Sequence, residues 1–117
     1  MKIFISHASS YDYENELYEP LRKSPIFEQH EFILPMQKDT FDTSLETLQS
    51  CDLVIADVSY ASTGQGIELG WAHLLNIPVI CIYKSGCKYS GALPEIFNTF
   101  IEYSSHEEMI QKITSLL

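Results

Sequence analysis

The sequence predicts an α/β fold, a three-layer sandwich in which helices cover both faces of a five-stranded parallel sheet. Residues 52–83 carry most of this prediction. Two short apolar runs, residues 53–56 and 79–82, have the length and composition of buried strands. Between them lie a Gly/Ser-rich loop and a segment with apolar residues at helical spacing, namely Ile67, Trp71, Leu74 and Leu75. This order predicts a right-handed βαβ crossover, the building unit of parallel sheets.

The remaining residues repeat the same alternation of strand and helix. The predicted strands are residues 2–6, 31–34, 53–56, 79–83 and 99–103, and the predicted helices are 13–23, 43–50, 64–75, 91–98 and 105–117. Ser105 followed by Glu108 is a capping box at the start of the last helix. We expect a single domain over residues 1–117, with the flavodoxin-like strand order 2-1-3-4-5. The loops after the first and third strands should then face each other across one crevice.

The composition narrows the classes of partner. A net charge of −9 argues against nucleic-acid polymers and anionic membranes. The opening residues hold no apolar run long enough for a signal peptide, and no stretch approaches the length of a membrane span. The three cysteines and four histidines show no ligand spacing. We therefore expect a cytosolic protein with reduced thiols and no metal site.

Two carboxylates stand out at the predicted carboxyl edge of the sheet, where ligands bind in such folds. Glu68 follows two glycines at the start of a helix, where the dipole should keep its pKa low and its carboxylate ionised. An ionised carboxylate in a crevice suits attack on a sugar anomeric carbon. The alternative is that Glu68 only stabilises the helix. Asp57 ends a strand and either points into the crevice or holds its own turn.

Small polar residues between the third strand and the following helix predict an anion site. Ser59, Ser62, Gly64 and Gly66 offer hydroxyls and backbone N–H groups before a helix, which suits a phosphate. Ser90 follows the fourth strand, so it lies at the same edge and could contribute a hydroxyl. The pattern matches neither GxxxxGK[ST] nor GxGxxG. The alternative is an ordinary solvated loop.

The segment ADVSYASTGQGIELGWA resembles the nucleoside 2-deoxyribosyltransferase family, especially its branch of 2′-deoxynucleoside 5′-phosphate N-hydrolases. The resemblance implies that Glu68 is the nucleophile at C1′ and that Ser62 contacts the 5′-phosphate or 5′-hydroxyl. It also implies that Phe4 lies near the sugar and that Ser90 completes a neighbouring subunit's phosphate site. We therefore expect an enzyme that needs no cofactor, forms a homodimer, and acts on a small nucleoside or nucleotide by hydrolysis or base transfer.

The chain departs from the family pattern at two positions. His7 stands where the family has a glycine beside the sugar, so His7 is itself a candidate substrate-binding residue. Ser44 stands where the family has an aspartate that helps to protonate the leaving base. Asp42, two residues away, or Asp57 is then the candidate for that role.

Two alternatives remain open at this stage. The opening FISHASSYD resembles the start of a bacterial Toll/interleukin-receptor (TIR) domain, some of which cleave NAD through a glutamate that would again be Glu68. A nucleotide-binding or interaction domain without turnover would account for His7 and Ser44. Release of nicotinamide from NAD, or binding without product, would discriminate these from the N-hydrolase interpretation.

Overall fold

A computed structural model describes residues 1–37 and 45–117. Its five parallel strands are β1 (Lys2–His7), β2 (Glu31–Ile33), β3 (Leu53–Asp57), β4 (Val79–Lys84) and β5 (Phe100–Tyr103). They form one sheet in the order β2-β1-β3-β4-β5. The predicted fold and strand order are confirmed. His7 belongs to β1 and pairs with Asp57 of β3, so it is not in the loop where the sequence placed it.

The helices cover both faces of the sheet. They are α1 (a π-helical turn at Glu14–Tyr18 continued by Glu19–Arg22), α2 (Ile26–Gln29), α3 (described over Leu45–Gln49), α4 (Thr63–Leu74) and α5 (His106–Leu116). The short α2 was not predicted, and the predicted helix 91–98 is reduced to one 3₁₀ turn at Leu93–Glu95. Pro20 is the second residue of the α-helical part of α1, next to the change from π to α geometry. Asp42 and Ser44 lie outside the described residues.

Side chains alternate along each strand and build a core on each face of the sheet. On the α1 and α5 face, Ile3 and Ile5 pack with residues that include Tyr18, Ile55, Tyr103 and Met109. On the α3 and α4 face, Phe4 packs with residues that include Leu48, Val54, Ala56 and Leu69. Phe4 is fully buried there, and its proximity to a sugar stays a prediction.

Most of the apolar stripe predicted for α4 faces outward, although Trp71 is half-buried and packs against the core. Ile67 is 51% exposed and Leu74 78% exposed, and Leu75 is also exposed. The inward residues are Gln65, Glu68, Leu69 and Ala72, which recur at helical spacing one face away. The prediction of the buried face was therefore wrong, because two of the four inward residues are polar and hydrophobic spacing does not count them.

Both long helices begin and end with local hydrogen bonds. Ser62 caps α4 by accepting from the Gln65 N–H. Ser105 caps α5 by accepting from the Glu108 N–H, as predicted, whereas the Glu108 carboxylate accepts from the N–H and the hydroxyl of Ser104. The chain leaves α4 through Asn76, whose φ of 59° is left-handed. No helix within residues 1–37 and 45–117 is long and apolar enough to cross a membrane.

Candidate active site

The carboxyl ends of β1 and β3 hold one buried hydroxyl–carboxylate pair. The Ser6 hydroxyl donates to Glu68 Oε1 over 2.8 Å. Ser6 lies opposite Ala56 in the sheet, on the face that α4 covers, so α4 lays Glu68 directly over it. This is the point where the chain leaves neighbouring strands in opposite directions, the usual ligand-binding position in an open parallel sheet.

A cavity of about 190 Å³ is lined by Glu68 of this pair. Its lining among the described residues is His7, Met36, Gly64, Gln65, Ile67, Glu68 and Trp71. Glu68 is the one carboxylate in that set, and the set contains no lysine or arginine. The other polar side chains in that set are Gln65 and His7, and the remaining residues are apolar, aromatic or glycine. Among the described residues, a ligand in this cavity therefore meets one acidic side chain beside a largely apolar wall.

Glu68 is more basic than the sequence predicted. The helix begins at Thr63, so Glu68 lies in its second turn, beyond the free N–H groups of the first. Its side chain is 5% exposed, and burial raises its pKa to about 7, with the Ser6 hydrogen bond acting in the opposite direction. The expected low pKa was wrong, because the loss of hydration outweighs the helix dipole.

Asp57 does not share this cavity. Alternation along β3 turns it toward the α1 and α5 face, opposite to Ala56 and Glu68. Its Oδ2 accepts from the Tyr103 hydroxyl at 2.6 Å, and its Oδ1 accepts from the Ser59 N–H at 3.0 Å. The residue is 2% exposed. These contacts are those of the turn-holding alternative, so the structure separates the two carboxylates that the sequence brought together.

The predicted phosphate-loop residues divide between two places. Gly64 lines the Glu68 cavity, whereas Ser62, Gly66 and Ser90 line a second cavity of about 530 Å³. That second cavity lies on the other flank of the α4 N-terminus, between the loops that follow β3 and β4. Ser59 lines neither cavity. Its buried Oγ accepts from the Lys84 N–H at 2.9 Å and so ties the end of β3 to that of β4.

The histidine at the end of β1 borders the site with its ring directed elsewhere. His7 is 2% exposed and lines the Glu68 cavity. Its imidazole contacts the Ala8 carbonyl and the Tyr18 hydroxyl, and burial lowers its pKa. The ring is therefore neutral at pH 7, which leaves Glu68 without a cationic partner from this side.

Five of the described residues of the site were not found from the sequence as site residues. Ser6 sits inside a strand and Met36 follows β2. Ile67 and Trp71 belong to the apolar spacing of α4, and Trp71 packs against the core, as predicted, while also lining the cavity. Gln65 lines both cavities, and its Nε2 donates to the Asp57 carbonyl at 2.8 Å. Of these residues, only Ser6 could have been identified from the sequence, because a hydroxyl at the end of a strand next to β3 must lie at the same edge of the sheet.

The structure thus defines a flavodoxin-like α/β domain with a buried carboxylate in a cavity at the carboxyl edge of its sheet. Two solved structures share this fold over their whole length. The CMP N-glycosidase BcmB of Clostridium botulinum has a TM-score of 0.69 at 22% identity, with 100% of both chains covered. A conserved protein of Enterococcus faecalis V583 has a TM-score of 0.64 at 20% identity, with 100% of this chain and 99% of that chain covered.

A sequence comparison adds a relative from Thermofilum pendens (strain DSM 2475 / Hrk 5), named "Putative 2'-deoxynucleoside 5'-phosphate N-hydrolase 1". It is 29% identical over 86 residues, which are 68% of this chain and 59% of that protein. The chain therefore matches less than two thirds of the relative's length. No family model matches the sequence. The resemblance to the nucleoside 2-deoxyribosyltransferase family is confirmed by this relative, and the fold by the two structures.

Proposed function

We propose that the protein cleaves the N-glycosidic bond of a nucleoside or nucleoside 5′-monophosphate, with Glu68 as the nucleophile at C1′. One observation carries this proposal: the Glu68 carboxylate is buried beside Ser6, in a cavity at the carboxyl edge of the sheet. The names of two relatives, an N-hydrolase and an N-glycosidase, support the same reaction class. Neither relative establishes the substrate of this chain.

The reaction proceeds in two displacements at C1′. Glu68 Oε2 attacks C1′ while Ser6 holds Oε1, and the C1′–N bond breaks with its electron pair passing to the base nitrogen. The base takes up a proton and leaves. Water then attacks C1′, gives up a proton, and releases the Glu68 carboxylate. A second base in place of water gives transfer instead of hydrolysis.

Burial makes this carboxylate responsive to the charge that develops on the sugar. A poorly hydrated carboxylate is destabilised in the empty site, as its raised pKa of about 7 reflects. An oxocarbenium-like transition state brings positive charge next to it, which stabilises the anion more than bulk water would. The free-enzyme kcat/KM should therefore rise with pH, with a midpoint near 7, as Glu68 ionises.

The proton for the leaving base needs a different group. Asp57 is bonded to Tyr103 on the other face of the sheet, so it does not reach the Glu68 cavity. Asp42 is the carboxyl that we propose for this role on the family resemblance, and it lies outside the described residues. An Asp42→Asn variant should lose most for substrates whose base is a poor leaving group.

The 5′ end of the substrate is proposed to lie at the start of α4. Gly64 lines the Glu68 cavity in the first turn of α4, where backbone N–H groups have no partner within the helix. Ser62, the capping residue, is its neighbour at that end. A phosphate held there would place the sugar toward Glu68, one turn further along the same helix.

A homodimer is part of the proposal. α4 presents an exposed apolar stripe that includes Ile67 and Leu74, and Ile67 also lines the Glu68 cavity. A second copy covering this stripe would close that side of the cavity and could supply Ser90 to it. Leu74→Glu should then give a monomer by light scattering with loss of activity. Leu116→Glu, an exposed leucine of α5, is the matched control and should leave the mass unchanged.

Chromatography of released bases tests the function directly. The protein would be incubated with nucleosides, deoxynucleosides, their 5′-monophosphates and NAD, beside Glu68→Gln and the exposed control Glu107→Gln. Base release that falls roughly 10³-fold or more in Glu68→Gln, and not in Glu107→Gln, supports the mechanism. Full activity in Glu68→Gln would overturn it. Nicotinamide as the released base would move the substrate to NAD, and binding without release would leave a non-catalytic nucleotide-binding domain.

A further inference from the structure

Two tyrosines contact the backbone of Met36, a residue of the Glu68 cavity wall, and the His7 ring packs against both of them. The His7 ring lies 4.6 Å from the Tyr13 ring and 5.0 Å from the Tyr18 ring, centroid to centroid. We refer to His7, Tyr13 and Tyr18 as the aromatic clamp. Both tyrosines belong to the α1 region and Met36 to the segment after β2, so the clamp joins two parts of the chain across the end of β1.

The hydrogen bonds of the clamp have fixed directions. The Ala8 carbonyl can only accept, so His7 Nδ1 carries a proton and donates to it over 2.7 Å. In a neutral ring Nε2 is then the acceptor, and it receives the Tyr18 O–H over 2.6 Å. The Tyr18 oxygen in turn accepts from the Met36 N–H over 3.0 Å. The chain therefore runs from the Met36 N–H through Tyr18 and His7 to the Ala8 carbonyl.

The other backbone group of Met36 is also held. Its carbonyl accepts from the Tyr13 hydroxyl over 3.4 Å, a longer and weaker contact. Met36 is thus fixed through its N–H and its carbonyl, while its side chain lines the cavity with Glu68 and Trp71. The position of one apolar wall of the candidate site depends on hydroxyls that do not themselves line the cavity.

We propose that His7 and Tyr18 are positioning residues for the Glu68 site, which act by fixing Met36 in the cavity wall. The Nδ1–H tautomer of His7 orients the Tyr18 hydroxyl, and that hydroxyl sets the Met36 backbone. His7 thus contributes to substrate binding through Tyr18 and Met36 and not through contact of its ring with the sugar. The kinetic part of this inference rests on the proposed function, whereas the tautomer and the Met36 contact do not.

Tyr18→Phe isolates the hydroxyl, because it keeps the ring that packs in the core and removes both hydrogen bonds. We expect KM for the released-base reaction to rise about tenfold, the size of one hydrogen bond's contribution, with kcat changed by less than about threefold. In the Glu68→Gln background, adding Tyr18→Phe should raise the dissociation constant for a nucleotide by the same factor. Tyr83→Phe is the matched control, because Tyr83 is half-buried and lies on the other face of the sheet from Tyr18. This variant should leave KM unchanged. A fall in thermal stability with unchanged KM would overturn the positioning role.

Histidine and methionine NMR test the clamp without any substrate. ¹⁵N spectra at pH 7.5 should show His7 as the Nδ1–H tautomer with an unprotonated Nε2. The ¹³C-methyl resonance of Met36, assigned with Met36→Leu, should move in Tyr18→Phe while that of the exposed Met1 stays. An Nε2–H tautomer, or a Met36 resonance unaffected by Tyr18→Phe, would refute the inference. If the wild-type protein released no base from any substrate, the proposed function would fail and these spectra would still decide the clamp.

Discussion

Replacing Glu68 with glutamine should stabilise the protein at alkaline pH and leave its stability unchanged at acid pH. The pKa of Glu68 is raised from 4.5 to about 7 by burial. The folded state therefore binds more protons than the unfolded state between these two values, and stability falls as pH rises through that window. Glutamine carries no charge at any pH and its amide oxygen still accepts from Ser6, so the variant escapes this cost.

The size of the effect follows from the gap between the two pKa values. At about 1.4 kcal/mol per pKa unit, the difference between the unfolded and the folded pKa lowers the free energy of unfolding by about 3 kcal/mol above pH 7. This is an upper value, because the carboxyl borders a cavity that solvent can enter. For a domain of this length each kcal/mol shifts the melting temperature by roughly 4 °C, so a rise of up to about 10 °C is expected at pH 8.

Urea unfolding at pH 4 and pH 8 measures the difference. The free energies of unfolding of wild type and Glu68→Gln should coincide at pH 4 and separate at pH 8, with the variant the more stable. Groups that titrate in both proteins cancel in this comparison. Glu107→Gln, at an exposed residue, should show no such pH dependence. An equal difference between wild type and Glu68→Gln at both pH values would refute the assignment of a destabilised carboxylate.

Three further substitutions test other parts of the structure. Ser6→Ala removes the donor to Glu68 Oε1, which should move the Glu68 titration to higher pH in a ¹³C-carboxyl NMR experiment; an unmoved midpoint would mean that the hydrogen bond is not formed. Tyr103→Phe leaves the buried Asp57 Oδ2 without its donor and should cost about 1–3 kcal/mol in urea unfolding, whereas a neutral effect would place Asp57 in another arrangement. Asn76→Ala should cost roughly 1–2 kcal/mol because its φ is left-handed, and Asn76→Gly should cost less, with the reverse order excluding that conformation.

The arrangement of the site explains why a protein would retain a destabilising residue. A glutamate that raises its pKa by burial costs folding free energy at neutral pH, and glutamine would fit the same contacts with Ser6. Residues whose removal should stabilise the fold are candidates for functional roles, because stability and catalysis make different demands on the same group. The stability experiment and the base-release experiment therefore both test the effect of burying the Glu68 carboxylate, the first on folding and the second on catalysis.

The fold and the position of the key carboxylate could be read from the sequence. Apolar runs of strand length separated by helical segments predict parallel strands, and the handedness of their connections limits the sheet order to few choices. Gly64 and Gly66, shortly before Glu68, located the carboxyl edge. The period of a strand and that of a helix are local properties of the chain, so both can be recognised without knowledge of the tertiary contacts.

The faces of the elements were decided by the tertiary structure. α4 buries Glu68 with Leu69 and exposes Leu74, although apolar spacing alone favoured burial of the face that carries Leu74. Asp57 and Ala56 are neighbours in β3, so they point to opposite sides of the sheet, and only the position of α4 determines which side holds the cavity. The pKa of Glu68 likewise depends on burial, which is set by residues distant in sequence such as Ser6 and Met36. Sequence periodicity determines which residues share a face, and long-range packing determines what that face meets.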